Sequence, residues 1–379
     1  MTDSAAPAGL RHGYTTGACA TASAKAALLA WLTQRPVKTV DLALPSGDHA
    51  SFPVESCSFS DTEATCSVRK DAGDDPDATQ NAEIGCKLHW RPEPGVAFRR
   101  GEGVGLVTLP GLPVAVGEPA INPVPRRMMT EIVLDTLAAH GRGGGAVLEV
   151  FVRGGEDIAT RTLNARLGIV GGISIIGTTG RVRPFSAEAY IASIRSALDV
   201  AVATGCEHVV LNSGGRSEAM LRGQFPALPP QAFVQYGNWI GAALDHLRGI
   251  GKRRVTLGIM LGKAVKLASG ELDTHSRRGM WDRDFVAGVA RACGYSDDLV
   301  SRIEALPLAR QLGELVPFGA AAPLYGRIAA CCHDVCAPVA PEIELEIRLH
   351  NDGAGWIAYR VMSNGLTQTT DVPAAPISP

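Results

Sequence analysis

The sequence predicts an α+β domain over residues 1–162, followed by a small α/β domain over 163–340 whose parallel sheet has about four strands. A C-terminal hairpin and tail fill 341–379. Three observations carry this reading. Strand-like runs succeed one another in the first part with only two helices among them. Strand and helix then alternate, the rhythm of parallel strands joined by right-handed crossovers. Near the end, Ile343, Leu345, Ile347 and Leu349 alternate with Glu344, Glu346 and Arg348, the period of a half-buried strand. A chain of 379 residues, 46% hydrophobic and 20% charged, is long enough for two cores and is not composed like a disordered one.

Element by element, Thr15 or Thr16 caps a helix that runs through an alanine-rich stretch to about residue 32. Strands are expected over 37–43, 50–56, 62–70, 83–90 and 104–109, then a helix over 126–139 and a strand over 146–153. Beyond them, residues 173–176 read as a short buried strand, Ser186 caps a helix to Thr204, and Gly205 stops it. Further strands are expected over 209–211, 232–236 and 255–261, with a helix over 238–247. The segment from 282 to about 330 is mainly helical, and Asn351-Asp352-Gly353 turns the late strand into a hairpin through 356–362.

Composition excludes several function classes. A formal net charge of −2 lacks the basic excess of a general nucleic-acid binder. No apolar stretch approaches the roughly 20 residues that cross a bilayer. The start, Met1-Thr2-Asp3-Ser4, lacks the basic and apolar regions of a secretory signal. Nine cysteines in a chain of this size suggest reduced, buried thiols, so a cytoplasmic protein is expected. Cys331, Cys332, His333 and Cys336 invite a zinc assignment, but no second pair with suitable spacing completes a tetrahedral set, and no metal is expected.

The densest chemistry lies in Lys70-Asp71-Ala72-Gly73-Asp74-Asp75-Pro76-Asp77-Ala78-Thr79. Gly73 and Pro76 keep this stretch from becoming a helix, so its four aspartates crowd a loop. Like charges at such density need water, a cation or a shared proton. An EF-hand starting at Asp71 fails because Ala82 stands where its last carboxylate should be. A solvated acidic turn is the plain alternative.

This loop resembles a signature of the CbiD family, the cobalt-precorrin-5B C(1)-methyltransferases of cobalamin biosynthesis. Gly13-Tyr14-Thr15-Thr16-Gly17-Ala18-Cys19-Ala20, Gly101-Glu102-Gly103-Val104-Gly105 and Gly117-Glu118-Pro119-Ala120-Ile121-Asn122-Pro123-Val124-Pro125-Arg126 resemble the same family. So does the stretch from Thr162 to Gly180, which holds Gly171-Gly172-Ile173-Ser174-Ile175-Ile176-Gly177-Thr178-Thr179-Gly180, and so does Asp273-Thr274-His275-Ser276. The resemblance implies a first domain like the second domain of ribosomal protein S5 (ribosomal protein S5 domain 2-like). It also implies S-adenosylmethionine as methyl donor, a tetrapyrrole substrate rich in carboxylates, and cobalt only as part of that substrate. Transient contact with neighbouring pathway enzymes is the partner it suggests.

Two glycine-rich loops are the expected donor site. Gly177-Thr178-Thr179-Gly180 and Asn212-Ser213-Gly214-Gly215 each follow a predicted parallel strand, the edge where open α/β sheets bind ligands. Tight strand-to-helix turns are the blander reading of either. A dinucleotide fingerprint is missing, because Gly101–Gly105 precedes a strand-like run and not a helix, and no P-loop lysine is present. The donor sulfonium loses its charge during transfer, so a carboxylate held against it would favour the ground state; neutral donors suit it better.

For the anionic substrate, Thr15, Thr16 and Gly17 offer a helix N-terminus, and Lys70 and Arg126 offer charge. Glu102 and Asn122 join the set through their matched segments, whereas Arg127 reads as solvated. Asp71, Asp74, Asp75 and His275 are candidates to accept a ring proton, in no fixed order. Two other classes compete: a small-molecule kinase on the S5-like fold, and a corrinoid carrier that consumes no methyl donor.

Overall fold

A computed structural model of the chain describes residues 9–251, 253–275, 281–351, 354–362 and 364–372. Ser276, the middle of the expected 351–353 turn and the proline-containing tail lie outside them. The chain divides into two compact units, 1–188 and 189–379.

In the first unit a six-stranded sheet runs in the order Thr39–Ala43, His49–Phe59, Glu63–Arg69, Glu83–Arg91, Gly145–Val152, Gly95–Arg100. Every pairing is antiparallel except the last, where Gly95–Arg100 lies parallel to Gly145–Val152. Helices Thr16–Thr33 and Pro123–Ala139 share one core with it. Ile84, Cys86 and Leu88 point into that core and alternate with Glu83, Lys87 and His89, as a sheet covered on one face requires. The second helix starts three residues before the expected position 126. Asn122 takes the extended N-cap conformation and Pro123 the first helical position, where its missing N–H costs nothing.

The segment 163–188 belongs to this unit, which corrects the expected strand at 173–176. Ile173 and Ile175 are buried, yet they join no parallel sheet of the second unit. Their backbone bridges Val104 on one side and Ile121 on the other. A short apolar run reads the same whether it sits in a sheet or is threaded between two loops.

The second unit carries a sheet in the order Phe233–Gln235, His208–Asn212, Arg254–Met260, Glu344–His350, Trp356–Val361, Thr367–Val372. Its first four strands are parallel and its last two antiparallel. The strand Glu344–His350 is therefore internal, not half-buried. Glu346 and Arg348 are buried, and Arg254, Arg348 and Arg360 surround the Glu346 carboxylate. Burial alone would raise that carboxyl; the three guanidiniums outweigh it and hold it below its ordinary range. Cys332 and Cys336, on helix Pro323–Cys336, face the core of the second unit. Burial pushes the Cys336 thiol up to about 12, and the Cys332 thiol donates to the Ala264 carbonyl. No described helix is long and apolar enough to cross a membrane.

Candidate active site

Around the start of helix Thr16–Thr33, the first unit gathers four of the segments singled out in the sequence. Thr15 is the N-cap, its hydroxyl accepting from the Ala18 amide at 3.2 Å. Thr16 is buried, and its hydroxyl accepts from the Ile176 amide at 2.8 Å. Gly17 donates to the Ile176 carbonyl and Thr15 to that of Gly180. The amides of Thr15, Gly17 and Ala18 are thus matched within the protein, and the 176–180 backbone occupies the side of the helix start where an anion nest was expected.

Gly177-Thr178-Thr179-Gly180 therefore does not leave a strand of the parallel sheet, as the sequence suggested; it wraps the helix start. At Gly177, φ is +135°, and a Cβ built there would run into the Thr15 side chain. Gly177→Val should consequently destabilise the first unit by about 2–3 kcal/mol, from backbone strain and overpacking together. Denaturant unfolding checks this, and an unchanged midpoint would mean that the loop moves freely.

In the 70–79 loop every aspartate is engaged. Asp71 pairs with the Arg11 guanidinium and accepts from the Gly73 amide at 2.9 Å. The Arg11 guanidinium, followed by the Gly73 amide, holds the Asp71 carboxyl below its usual range. Asp74 accepts from the Arg11 amide at 2.7 Å, and Asp75 from the Phe185 amide at 2.9 Å through one oxygen. Lys70, only 1% exposed, donates to Asp77 at 2.7 Å, and the other Asp77 oxygen accepts from Thr79. Beyond a plain acidic turn, the carboxylates hold Arg11 on one side and Phe185 on the other. Lys70 is internal and presents no charge to the surface.

Arg126 is also engaged. Its Nε donates to the Ile121 carbonyl at 2.8 Å, its Nη2 to Pro119 and Glu118, and its guanidinium lies 5.2 Å from the Phe98 ring. Asn122 is half-buried and makes no side-chain cap. Glu102 is exposed beside the Gly103–Ile173 backbone pairing, and Arg127 is exposed with Glu131 3.8 Å away.

In the second unit the sheet order places a topological switch at strand His208–Asn212. Its crossover leads to one neighbour, Phe233–Gln235, while Arg254–Met260 flanks it on the other side. Such a switch opens a crevice at the carboxyl ends of the strands. Asn212 is fully buried; its amide donates to Val234 and its carbonyl oxygen accepts from Gly214. The Ser217 hydroxyl accepts from the Ser213 and Gly214 amides. The loop is thereby rigid, with Gly214 and Gly215 facing open space, as does Gly262 after the adjacent strand.

The same edge carries Lys263, which the sequence reading passed over. Its ammonium donates to the Gly237 carbonyl at 2.5 Å, and burial pulls its pKa down to about 8. The overlooked signal is a buried strand running directly into Leu261-Gly262-Lys263 and a helix. The segment holding His275 is pinned nearby in the fold: Thr274 donates to Asn238, just beyond Gly237. The His275 amide donates to Asp273 and its carbonyl accepts from Lys266.

Comparison with known proteins places the chain in a family. The CbiD family model matches residues 3–184, and a second, described as the CbiD C-terminal domain, matches 273–360. A cobalt-precorrin-5B C(1)-methyltransferase of Prosthecochloris aestuarii is 47% identical over 344 residues, 90% of this chain and 93% of that one. The chain belongs to the CbiD family. The protein of the same name from Priestia megaterium is 43% identical over 91% of this chain and 94% of its own. A crystal structure of the CbiD cobalamin biosynthesis protein from Archaeoglobus fulgidus is 27% identical, covering 71% of this chain and 83% of that one at a TM-score of 0.39.

Proposed function

We infer that this CbiD chain methylates C-1 of cobalt-precorrin-5B, a step of cobalamin biosynthesis. The observation that carries this is 47% identity over nearly the whole length of a relative with that name. The donor proposed is S-adenosylmethionine and the product cobalt-precorrin-6A. When bound, the donor supplies an electrophilic methyl group. The C–S bond breaks as the new C–C bond forms, and its electron pair stays on sulfur as the sulfonium becomes a thioether.

The switch-point edge of the second unit is the proposed donor site. Gly214, Gly215 and Gly262 leave room there, and half-buried Ser213, on a loop that buried Asn212 holds from within, offers the sulfonium a neutral hydroxyl and no carboxylate. Orientation of two large reactants for in-line attack can contribute ~7–11 kcal/mol in favourable cases.

On the substrate side, Asp75 is the proposed proton acceptor as ring conjugation shifts. It is half-buried, and among the described residues only one of its oxygens is used. Asp71 and Asp74 hold the Arg11 segment, and His275 remains the alternative acceptor. Thr15, Thr16, Gly17, Lys70, Asn122 and Arg126 frame this region from within, and the exposed Glu102 can meet solvent or substrate. Two helices on one face of a largely antiparallel sheet support an S5 domain 2-like reading of the first unit. Nine cysteines without a disulfide suit a reducing cytoplasm.

Incubation of the protein with cobalt-precorrin-5B and methyl-labelled donor tests the reading: one label should appear at C-1. A bound corrinoid with no donor consumed would instead mean a carrier. Asp75→Asn should then lower the transfer rate at least tenfold with donor affinity nearly intact, since the amide keeps the shape but cannot take the proton. Single-turnover rates decide it, and a normal rate would leave Asp75 as a clasp for the Phe185 backbone.

A further inference from the structure

We propose that Lys263 binds the carboxylate at the methionyl end of the donor. The inference rests on placing the donor at the switch point, and deepens that placement by naming the group that fixes its charged tail.

Geometry is the first argument. Lys263 follows strand Arg254–Met260, yet its ammonium reaches the carbonyl of Gly237, which follows strand Phe233–Gln235. In the sheet these two strands are separated by His208–Asn212. They therefore stand two strand spacings apart, roughly 9–10 Å. The lysine must cross the end of the middle strand, where Asn212-Ser213-Gly214-Gly215 begins. Tyr236 lies beneath it, with its ring 5.7 Å from the ammonium.

Charge is the second argument. Among the described residues no carboxylate pairs with Lys263, and burial is the cause of its lowered pKa. A half-buried ammonium without a counter-ion is costly unless a ligand supplies one. The group is still mainly protonated near neutral pH, and among the described residues only one of its three N–H donors has an acceptor. Glu218, the nearby buried acid of helix Gly215–Gln224, is already held by Arg222 at 2.8 Å and Gln235 at 2.9 Å. An anion arriving in the space beside Gly214 and Gly262 would supply the counter-ion that the ammonium lacks among the described residues.

Carboxylates occur on both reactants, so the test separates them. Affinities of wild type, Lys263→Met and Lys263→Arg are measured by calorimetry for S-adenosylmethionine, for its decarboxylated form, which keeps the adenosyl group, sulfonium and amine, and for the tetrapyrrole cobalt-precorrin-5B. Lys263→Met should weaken S-adenosylmethionine at least tenfold and the decarboxylated form less than twofold, with Lys263→Arg restoring part of the loss. Equal weakening of both ligands would overturn the proposal and leave Lys263 as a brace for the Gly237 loop. Loss of affinity for the tetrapyrrole alone would overturn it in favour of a substrate carboxylate. If wild type bound neither donor form, the donor placement itself would fall, an outcome visible without any variant.

Discussion

Asp77→Leu should destabilise the first unit by about 3–5 kcal/mol, the usual range for stranding one member of a buried ion pair. Lys70 is 1% exposed and Asp77 is its carboxylate partner at 2.7 Å. Removing Asp77 leaves an ammonium with no water to solvate it. The double variant Lys70→Met/Asp77→Leu should recover most of the loss, because the pair's desolvation offsets much of its attraction. Denaturant midpoints of the first unit's transition, followed separately from the second's, give both numbers. The pH dependence has a defined sign. Burial raises the Asp77 carboxyl, but Lys70 and Thr79 outweigh it, and the folded value lies below the unfolded one. The carboxylate's contribution is therefore complete above the unfolded pKa of about 4 and is lost as the pH falls through the folded value. The gap between wild type and Asp77→Leu should close in acid. A double variant as unstable as the single one would mean that the loop needs Asp77 for its Thr79 bonds and not for its charge.

What the sequence made legible were features with a local cause. Thr15 as a cap, the alanine-rich helix after it and the strand Glu83–Arg91 follow from side chains near them in the chain. Residues whose role depends on a distant partner were hidden. Gly95–Arg100 pairs in parallel with Gly145–Val152, some fifty positions on, and nothing in Val96-Ala97-Phe98 announces that partner. Glu346 reads as a solvent-facing charge until Arg254 and Arg360 arrive from neighbouring strands.

The acidic loop shows the same limit at the site. Its four aspartates are obvious, but their division of labour is not. Asp71 and Asp74 grip Arg11 and Asp75 holds Phe185, residues from elsewhere in the fold, while Asp77 neutralises Lys70 of the same loop, whose burial the loop's own sequence does not reveal. Lys263 escaped because a lysine at the start of a helix is ordinarily solvated; only the order of strands shows that its side chain spans the end of another one.

Glycines carry the sharpest remaining test, since their sequence contexts look alike and their surroundings do not. A Cβ on Gly258 would strike Leu221, so that glycine serves packing within the strand. Gly215 and Gly262 have ordinary backbone angles, and a Cβ on either meets nothing within 4 Å. Valine at these two positions should leave stability within about 0.5 kcal/mol, because in a helical turn it is slightly favoured over glycine. If S-adenosylhomocysteine occupies the switch-point edge, each valine should weaken it at least a hundredfold. Wild type saturated at a hundred times its Kd gains about 2.7 kcal/mol of apparent stability from ligand linkage. In Gly215→Val and Gly262→Val the corresponding rise in Tm should shrink to about a sixth of the wild-type value or less while the unliganded Tm stays in place. Gly258→Val should do the reverse, lowering the unliganded Tm through its clash with Leu221. A full ligand shift in both edge variants would move the donor away from these strand ends.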